Sequence, residues 1–428
     1  MRARIARAVF LALLLIPSAA AARTWHVLPD GSGDAPTIQA AIDSSTDGDL
    51  VELADGTYRG EGNRDIVLAG KAITVRSASG DPGLCVLDCE GAESEPHRGF
   101  SFGAVSKGEA ALEGITITNG WIAAEPYGGA VLCEGGSAPR IRSCVFAGNR
   151  GTGVACVDRS SPSLDGCVFS ENAGWRGGGL CGREASPDVR GCSFSGNTSE
   201  WGGGAFYGHV GRPVFTDCEF VENESETGGA FLLLPGTMCE CVDCLFLDNT
   251  GGDGGGIWAL MCSTSVEGCV FAGNSAFGSA GAITTGKMSF TRIAGCTFWR
   301  NGGSDGQLLC GELETTIENT IIAYGTRGPA IAVAGIVSLS CSDLFGNPGG
   351  DWVGGLEDQC GVEGNLSADP LLCDPEGGDF TLRSDSPCLP GNHPDGADCG
   401  LIGALGEGCT GPTAARQTSW GAVKTLFR

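Results

Sequence analysis

A six-residue pattern, Cys-x-Phe-x-x-Asn, recurs seven times at nearly constant spacing, and few folds can absorb such a repeat. Its asparagines are Asn149, Asn172, Asn197, Asn223, Asn249, Asn274 and Asn301, separated by 23 to 27 residues. Two further markers keep phase with it. Glycines open short apolar runs at Gly128, Gly177, Gly202, Gly228 and Gly254, with weaker copies at Gly153 and Gly281. Pro139, Pro162, Pro187 and Pro213 are each followed two residues later by Ile141, Leu164, Val189 or Phe215. Each unit of about 25 residues thus holds three short runs whose apolar residues alternate, the periodicity of strands. None has the ten or more residues a helix needs. A unit this small cannot bury its own apolar face, but stacked copies can, each strand pairing with its equivalent in the next coil. The repeat predicts an all-β chain folded as a right-handed parallel β-helix, its coils about 4.8 Å apart.

That stacking assigns each repeated residue a place. The seven asparagines form one turn column, hydrogen-bonded amide to amide, since Asn tolerates turn backbone and stacks as ladders. The phenylalanines fill the interior. Cys144, Cys167, Cys192, Cys218, Cys244, Cys269 and Cys296 point inward as small buried thiols, because parallel side chains give poor disulfide geometry. Cys239, Cys241 and Cys244 lack the paired spacing of a zinc site, so no metal is expected there.

The ends differ from the middle. Arg2, Arg4 and Arg7, an apolar stretch over 8–16 and small residues at 19–22 read as a signal peptide over 1–22. The β-helix is expected over 23–405, beginning with an N-terminal cap (24–60). A short amphipathic helix over 36–42, with Pro36 in its first turn and Ile38 and Ile42 on one face, would cover the open sheet edge. From Cys341 the pattern decays into a Cys-rich end, 341–409, with Cys360, Cys373, Cys388, Cys399 and Cys409 among Pro, Gly and Asp. Crosslinks help such core-poor loops most, so disulfides are expected here. Residues 410–428 form a basic tail with Arg416, Lys424, Arg428 and no acid, and Trp420, Val423 and Phe427 on one helical face; it could dock on the cell envelope.

Composition narrows function mainly by exclusion. The 73 glycines follow no strict triplet, which excludes collagen. With 51 acidic against 26 basic residues the net charge is −25, and no basic footprint for nucleic acid is present. No run after the leader approaches a membrane-spanning helix. The expected location is secreted, extracellular or on the outer-membrane surface.

Chemistry is sparse. Aligned on the repeated prolines, Asp158, Arg183 and His209 occupy one turn position on three successive coils, with Arg159 and Glu184 one residue on. Acid, arginine and histidine so placed could bind a uronate or move a proton. On the other side of the Gly-rich strand, Trp175 and Trp201, with Tyr127 and Phe277 at comparable positions, offer platforms for stacking sugars or anchoring a protein. The Gly-rich strand between them, around 150–215, is the expected ligand-facing strip, its glycines letting a ligand approach the backbone. No cofactor is expected. Acidic neighbours Glu200, Glu226 and Asp253 would suit Ca²⁺, though no complete ligand loop is present.

Over about residues 24–405 the chain resembles the pectin-lyase-like, right-handed β-helix superfamily. Its Gly-Gly-Ala-apolar runs at 128–131, 203–206 and 228–231, alternating with Phe-x-x-Asn, are similar to the repeats of chlamydial polymorphic outer-membrane proteins. That resemblance implies a surface-exposed adhesin, although no region resembles the C-terminal autotransporter barrel of that family. The superfamily also includes pectate lyases, polygalacturonases and alginate epimerases. The Gly-His-Gly and Arg-Ile-Lys motifs of polygalacturonases are missing, and Glu95-Pro96-His97 is similar to an epimerase motif without its flanking acids. The expectation is a non-catalytic surface protein binding an extended glycan or a protein partner. The alternative is a lyase or hydrolase acting on an acidic polysaccharide.

Overall fold

One coil, residues 180–205, shows how the repeat folds. Strand Leu180–Arg183 is followed by Asp188–Arg190, Ser193–Ser195 and a two-residue strand, Thr198–Ser199. Each pairs in parallel with its equivalent in the next coil: Leu180 with Phe206, Val189 with Phe215, Phe194 with Phe220, Thr198 with Glu224. The structure, a computed structural model, describes residues 22–103, 110–123 and 128–409. All but the last residue of the expected leader, Tyr127 and the basic tail 410–428 lie outside the described residues.

The Phe-bearing strands form a sheet of 12 strands. The Gly-strands and Pro-strands are joined into one sheet, because the strand Phe231–Val242 runs without a break through both positions. The fourth, short strand was not foreseen. It follows the ladder asparagine in five successive coils, from Ala173–Gly174 to Ser275–Ala276. Two residues are too few to show alternation, so no periodicity could announce it.

The ladder is continuous and directional. In every rung the Nδ2 of one asparagine donates to Oδ1 of the next, as from Asn172 to Asn197 and from Asn197 to Asn223, each at 3.0 Å. The same Oδ1 accepts the backbone N–H of the preceding asparagine, and Nδ2 also donates to a phenylalanine carbonyl, as from Asn197 to Phe169 at 2.9 Å. The row continues past Asn301 through Gln307 and Asn347 to the carboxylate of Asp351. Every amide donates toward the C-terminal end, and a negative charge terminates it.

Inside, the phenylalanines stack with ring centroids 4.3 to 5.1 Å apart from Phe146 to Phe298. The column thiols are buried and reach backbone carbonyls, as Cys192 Sγ does to Arg190 O at 3.3 Å. Burial pushes the Cys144 thiol up to about 12.

At the N-terminal end the helix is Ile38–Ser44, with Ile38 and Ile42 buried. Its cap is Thr37, whose Oγ1 accepts from Ala40 N. Pro36 therefore precedes the cap instead of occupying the first turn. At the other end, Cys341–Cys399 and Cys373–Cys409 are disulfides, while Cys360 is exposed and Cys388 buried as free thiols. Ile321, Leu366, Leu382, Leu389 and Ile402 form a separate small core there.

Candidate functional site: a groove along the short strands

The expected strip over the Gly-strand is closed. Its outward residues Leu132, Ala155, Cys181, Tyr207 and Leu232 form a buried cluster, with Trp201 and Trp258 packed on it. The glycines serve coil packing, not ligand approach. A Cβ on Gly202 would lie 2.9 Å from the Tyr207 ring, and one on Gly204 would lie 2.7 Å from Asn197 O and from the backbone of Glu224. The turns fold so tightly over the strand that neighbouring backbone fills the space a side chain would take.

The polar candidates beyond this strand do not converge as expected. Arg183 pairs in register with His209. Cys156 pairs with Gly182, which puts Val157 level with Arg183, and Asp158 one position on, level with Glu184. Alignment on the prolines misplaces Asp158 because the turn from Cys156 to Pro162 has one residue more than the turn from Gly182 to Pro187. Asp158, Arg159 and Glu184 are exposed, in left-handed backbone at φ 51°, 65° and 51°.

The two tryptophans part company as well. Gly174 pairs with Ser199, so Trp175 is level with Glu200, and Trp201 with Arg176. Trp201 lies 6.1 Å from the Tyr207 ring, and the Arg176 guanidinium sits 5.3 Å from its centroid. It is a packing residue over the closed strip. Trp175 remains 46% exposed, and Phe277, further along, is more open still.

Trp175 belongs to a groove of about 650 Å³. Trp121, Arg150, Trp175, Glu200, Glu224 and Glu226 line it. The short strands build it. Trp121, Arg150, Ala173, Thr198 and Glu224 follow one another in parallel register on successive coils. Trp175, Glu200 and Glu226 form the next column, two residues on. With coils about 4.8 Å apart, the groove runs along the solenoid axis. Arg150 lies over the Trp121 ring at 5.2 Å. Asp253 does not join the carboxylates: its N–H bonds Thr227 O, one position beyond the Glu226 column. Among the described residues no three His, Cys, Asp or Glu side chains are grouped to hold a metal ion. The sulfurs of Cys239 and Cys241 are 4.0 Å apart in the core, and Cys244 stays in its column.

Trp121, Arg150 and Glu224 escaped the sequence reading. The signal available was position: Arg150 and Glu224 immediately follow ladder asparagines, and both are exposed.

One coil before Trp121 lies a charged cluster. His97 O accepts from Trp121 N, and the His97 ring meets Asp65 Oδ2 at 2.6 Å and Glu95 Oε1 at 3.4 Å. Arg64 pairs with Glu90 at 3.0 Å. Nε2 of His97 is buried without a hydrogen bond.

Parallel coils, an amide ladder and an axial groove make this a parallel β-helix with an elongated groove on its outer face. The family model described as "Right handed beta helix region" matches residues 69–197 and 129–291, together more than half of the chain, and the chain belongs to that family. No curated protein sequence matches it. Among solved structures it is similar to pectate lyase Pel9A, at 14% identity and a TM-score of 0.43 over 90% of this chain and 96% of that one. It is also similar to the PL6 family alginate lyase AlyGC, at 13% identity and a TM-score of 0.44 over 82% of this chain and 54% of that one. The chain thus spans about half the length of the alginate lyase. The A-module of the Azotobacter vinelandii mannuronan C-5 epimerase AlgE6 aligns at 14% identity, with a TM-score of 0.25 over 78% and 94%. No activity is carried over from these likenesses.

Proposed function

We propose that this is an exported, non-catalytic surface protein that binds an extended glycan along the short-strand groove. The observation that carries the reading is the placement of Trp121 and Trp175 in one axial groove, on a rigid ladder-backed strip. An exposed indole gives a sugar ring apolar contact at low entropic cost, and an axial groove suits a chain rather than a small molecule. Export is supported by the leader-like sequence and by two disulfides, which persist in oxidising compartments. No helix of the described residues is long and apolar enough to cross a membrane, and attachment through 410–428 belongs to the same proposal. Carboxylates in the groove and a net charge of −25 oppose an acidic polysaccharide as the ligand.

A glycan array followed by calorimetry tests this. Trp175→Ala should weaken binding about tenfold, the equivalent of about 1.4 kcal/mol, with the melting temperature unchanged. Trp201→Ala should lower the melting temperature and keep the affinity. If Trp175→Ala leaves affinity intact, the groove is not the binding face. A second reading, depolymerisation, is favoured by one observation: the Asp65–His97 pair beside Trp121. Its Nε2 is buried, which ranks that reading second. Chain cleavage lost in His97→Ala would put it first.

A further inference from the structure

The groove is electrically two-sided. Arg150 sits with Trp121 at its N-terminal end. Beyond Trp175 the lining turns to Glu200, Glu224 and Glu226, all exposed. Glu200 and Glu226 occupy equivalent places on adjacent coils, and Glu224 is two residues before Glu226 on the same outward side. Two carboxylates one coil apart repel each other, and the fold elsewhere relieves such repulsion with arginine. Glu52 has Arg76 at 2.7 Å, and Glu267 and Glu318 share Arg292 at 3.4 and 3.2 Å. Glu200, Glu224 and Glu226 have no ion pair among the described residues, and Arg150, the one arginine of the lining, is held over Trp121 instead.

An exposed indole one coil before a pair of unneutralised carboxylates, in a concave strip with coil spacing close to one sugar ring, is suited to a ring that also carries positive charge. The ring stacks on Trp175. The charge meets Glu200 and Glu226 and draws further on the π face. We infer that the groove selects a glycan bearing free amino groups, an amino-sugar chain in its ammonium form, bound with its cationic residues over Glu200 and Glu226. This rests on the glycan reading above and names its ligand class.

The full chain is titrated calorimetrically with three hexasaccharides: the glucosamine oligomer, its N-acetylated counterpart and cellohexaose, at a pH where the sugar amine is protonated. The expected result is about tenfold or more tighter binding of the glucosamine oligomer. Added salt should erase that preference, since exposed charge pairs are screened. The double variant Glu200→Gln, Glu226→Gln should lose it too, binding the glucosamine oligomer no more tightly than it binds cellohexaose, and both positions are exposed, so folding is preserved. Equal affinity for the three oligomers, or a charge preference that survives in the double variant, overturns the amino-sugar inference and leaves glycan binding standing. Failure of all three to bind overturns both.

Discussion

The coils from Cys144 to Asn301 and the closing segment 341–409 solve one problem in opposite ways. In the coils every structural residue has a copy about one strand spacing away. Asparagine meets asparagine, ring meets ring, and all seven column cysteines remain free thiols. In the closing segment no copy is available. The chain turns irregular, its small core is separate, and two disulfides span 58 and 36 residues. Repetition lets short strands share satisfaction of buried polar groups along an axis. Where repetition stops, covalent crosslinks hold loops that bury little.

If this contrast is right, the sharpest way to break the coils is to remove one rung. Asn197 is fully buried and serves four groups: Asn172 N–H, Asn172 Nδ2, Phe169 O and Asn223 Oδ1. Asn197→Ala leaves the Asn172 N–H without its acceptor, at about 1–3 kcal/mol for a buried orphan. It also takes one further bond each from Asn172 Nδ2, Phe169 O and Asn223 Oδ1, while Asn172 Nδ2 keeps Phe146 O and Asn223 Oδ1 keeps the backbone N–H of residue 197. The expected loss is about 3 kcal/mol or more in chemical denaturation. A loss under about 1 kcal/mol would mean that water replaces the rung and that the ladder is not what binds the coils.

The closing segment should answer to pH, because Asp343 is buried there. Burial pushes its carboxyl up to about 7, and Ala368 N–H and the Cys388 thiol bond it while Asp351 and Asp369 repel it. The native state therefore holds a proton that the unfolded chain releases near pH 3.8. Stability from this group is fully present below pH 3.8 and falls as pH rises to about 7. The slope is about 1.4 kcal/mol per pH unit at most. Asp343→Asn should flatten that slope in melts from pH 4 to 7. An unchanged slope would assign it elsewhere. Reduction tests the bridges of the same segment. Breaking Cys341–Cys399 and Cys373–Cys409 should cost the closing segment about 2–4 kcal/mol for each bridge and leave hydrogen-exchange protection at Asn172 and Asn197 unaltered. Loss of protection in the coils would show the two regions to be one cooperative unit.

The same contrast explains what the sequence disclosed. Residues locked to an invariant neighbour were legible: the ladder, the Phe stack and the buried thiols all sit inside one hexapeptide. Gln307 and Asn347 extend the ladder without that context, since Gln reaches the column from a different loop. Turns were legible only where their length is constant. One extra residue before Pro162 displaced Asp158, and counting from glycines paired Trp175 with Trp201 although they differ by one position. In a stack, one residue decides whether a side chain meets solvent or a neighbour's ring. The groove was half visible, through Trp175, Glu200 and Glu226. Of its other half, Trp121 lies before the first repeat marker, while Arg150 and Glu224 directly follow ladder asparagines, a place no apolar alternation singles out.

The smallest expected effect concerns the thiol column and separates its two roles. If the cysteines matter as apolar filler, replacing one by a hydroxyl should cost as much as burying an unpaired polar group. If they matter as weak donors to backbone, a hydroxyl should serve. The later coils carry out this substitution themselves. The column runs on from Cys296 to Thr320 and Ser342: Cys296 N donates to Thr320 Oγ1 at 3.4 Å, and Thr320 N to Ser342 Oγ at 3.3 Å. Each hydroxyl also donates to the carbonyl two residues earlier, at 2.8 and 3.0 Å, the place the thiols reach at about 3.3 Å. A serine at this turn thus finds an acceptor already in position. Cys192→Ser should cost less than about 1 kcal/mol, near the net value of an ordinary hydrogen bond. Cys192→Val, which removes the donor, keeps the apolar character and adds bulk at a tight turn, should cost about 1–3 kcal/mol. Denaturation of the two variants side by side decides between the roles, and a serine variant weaker than the valine variant would make the column a packing device alone.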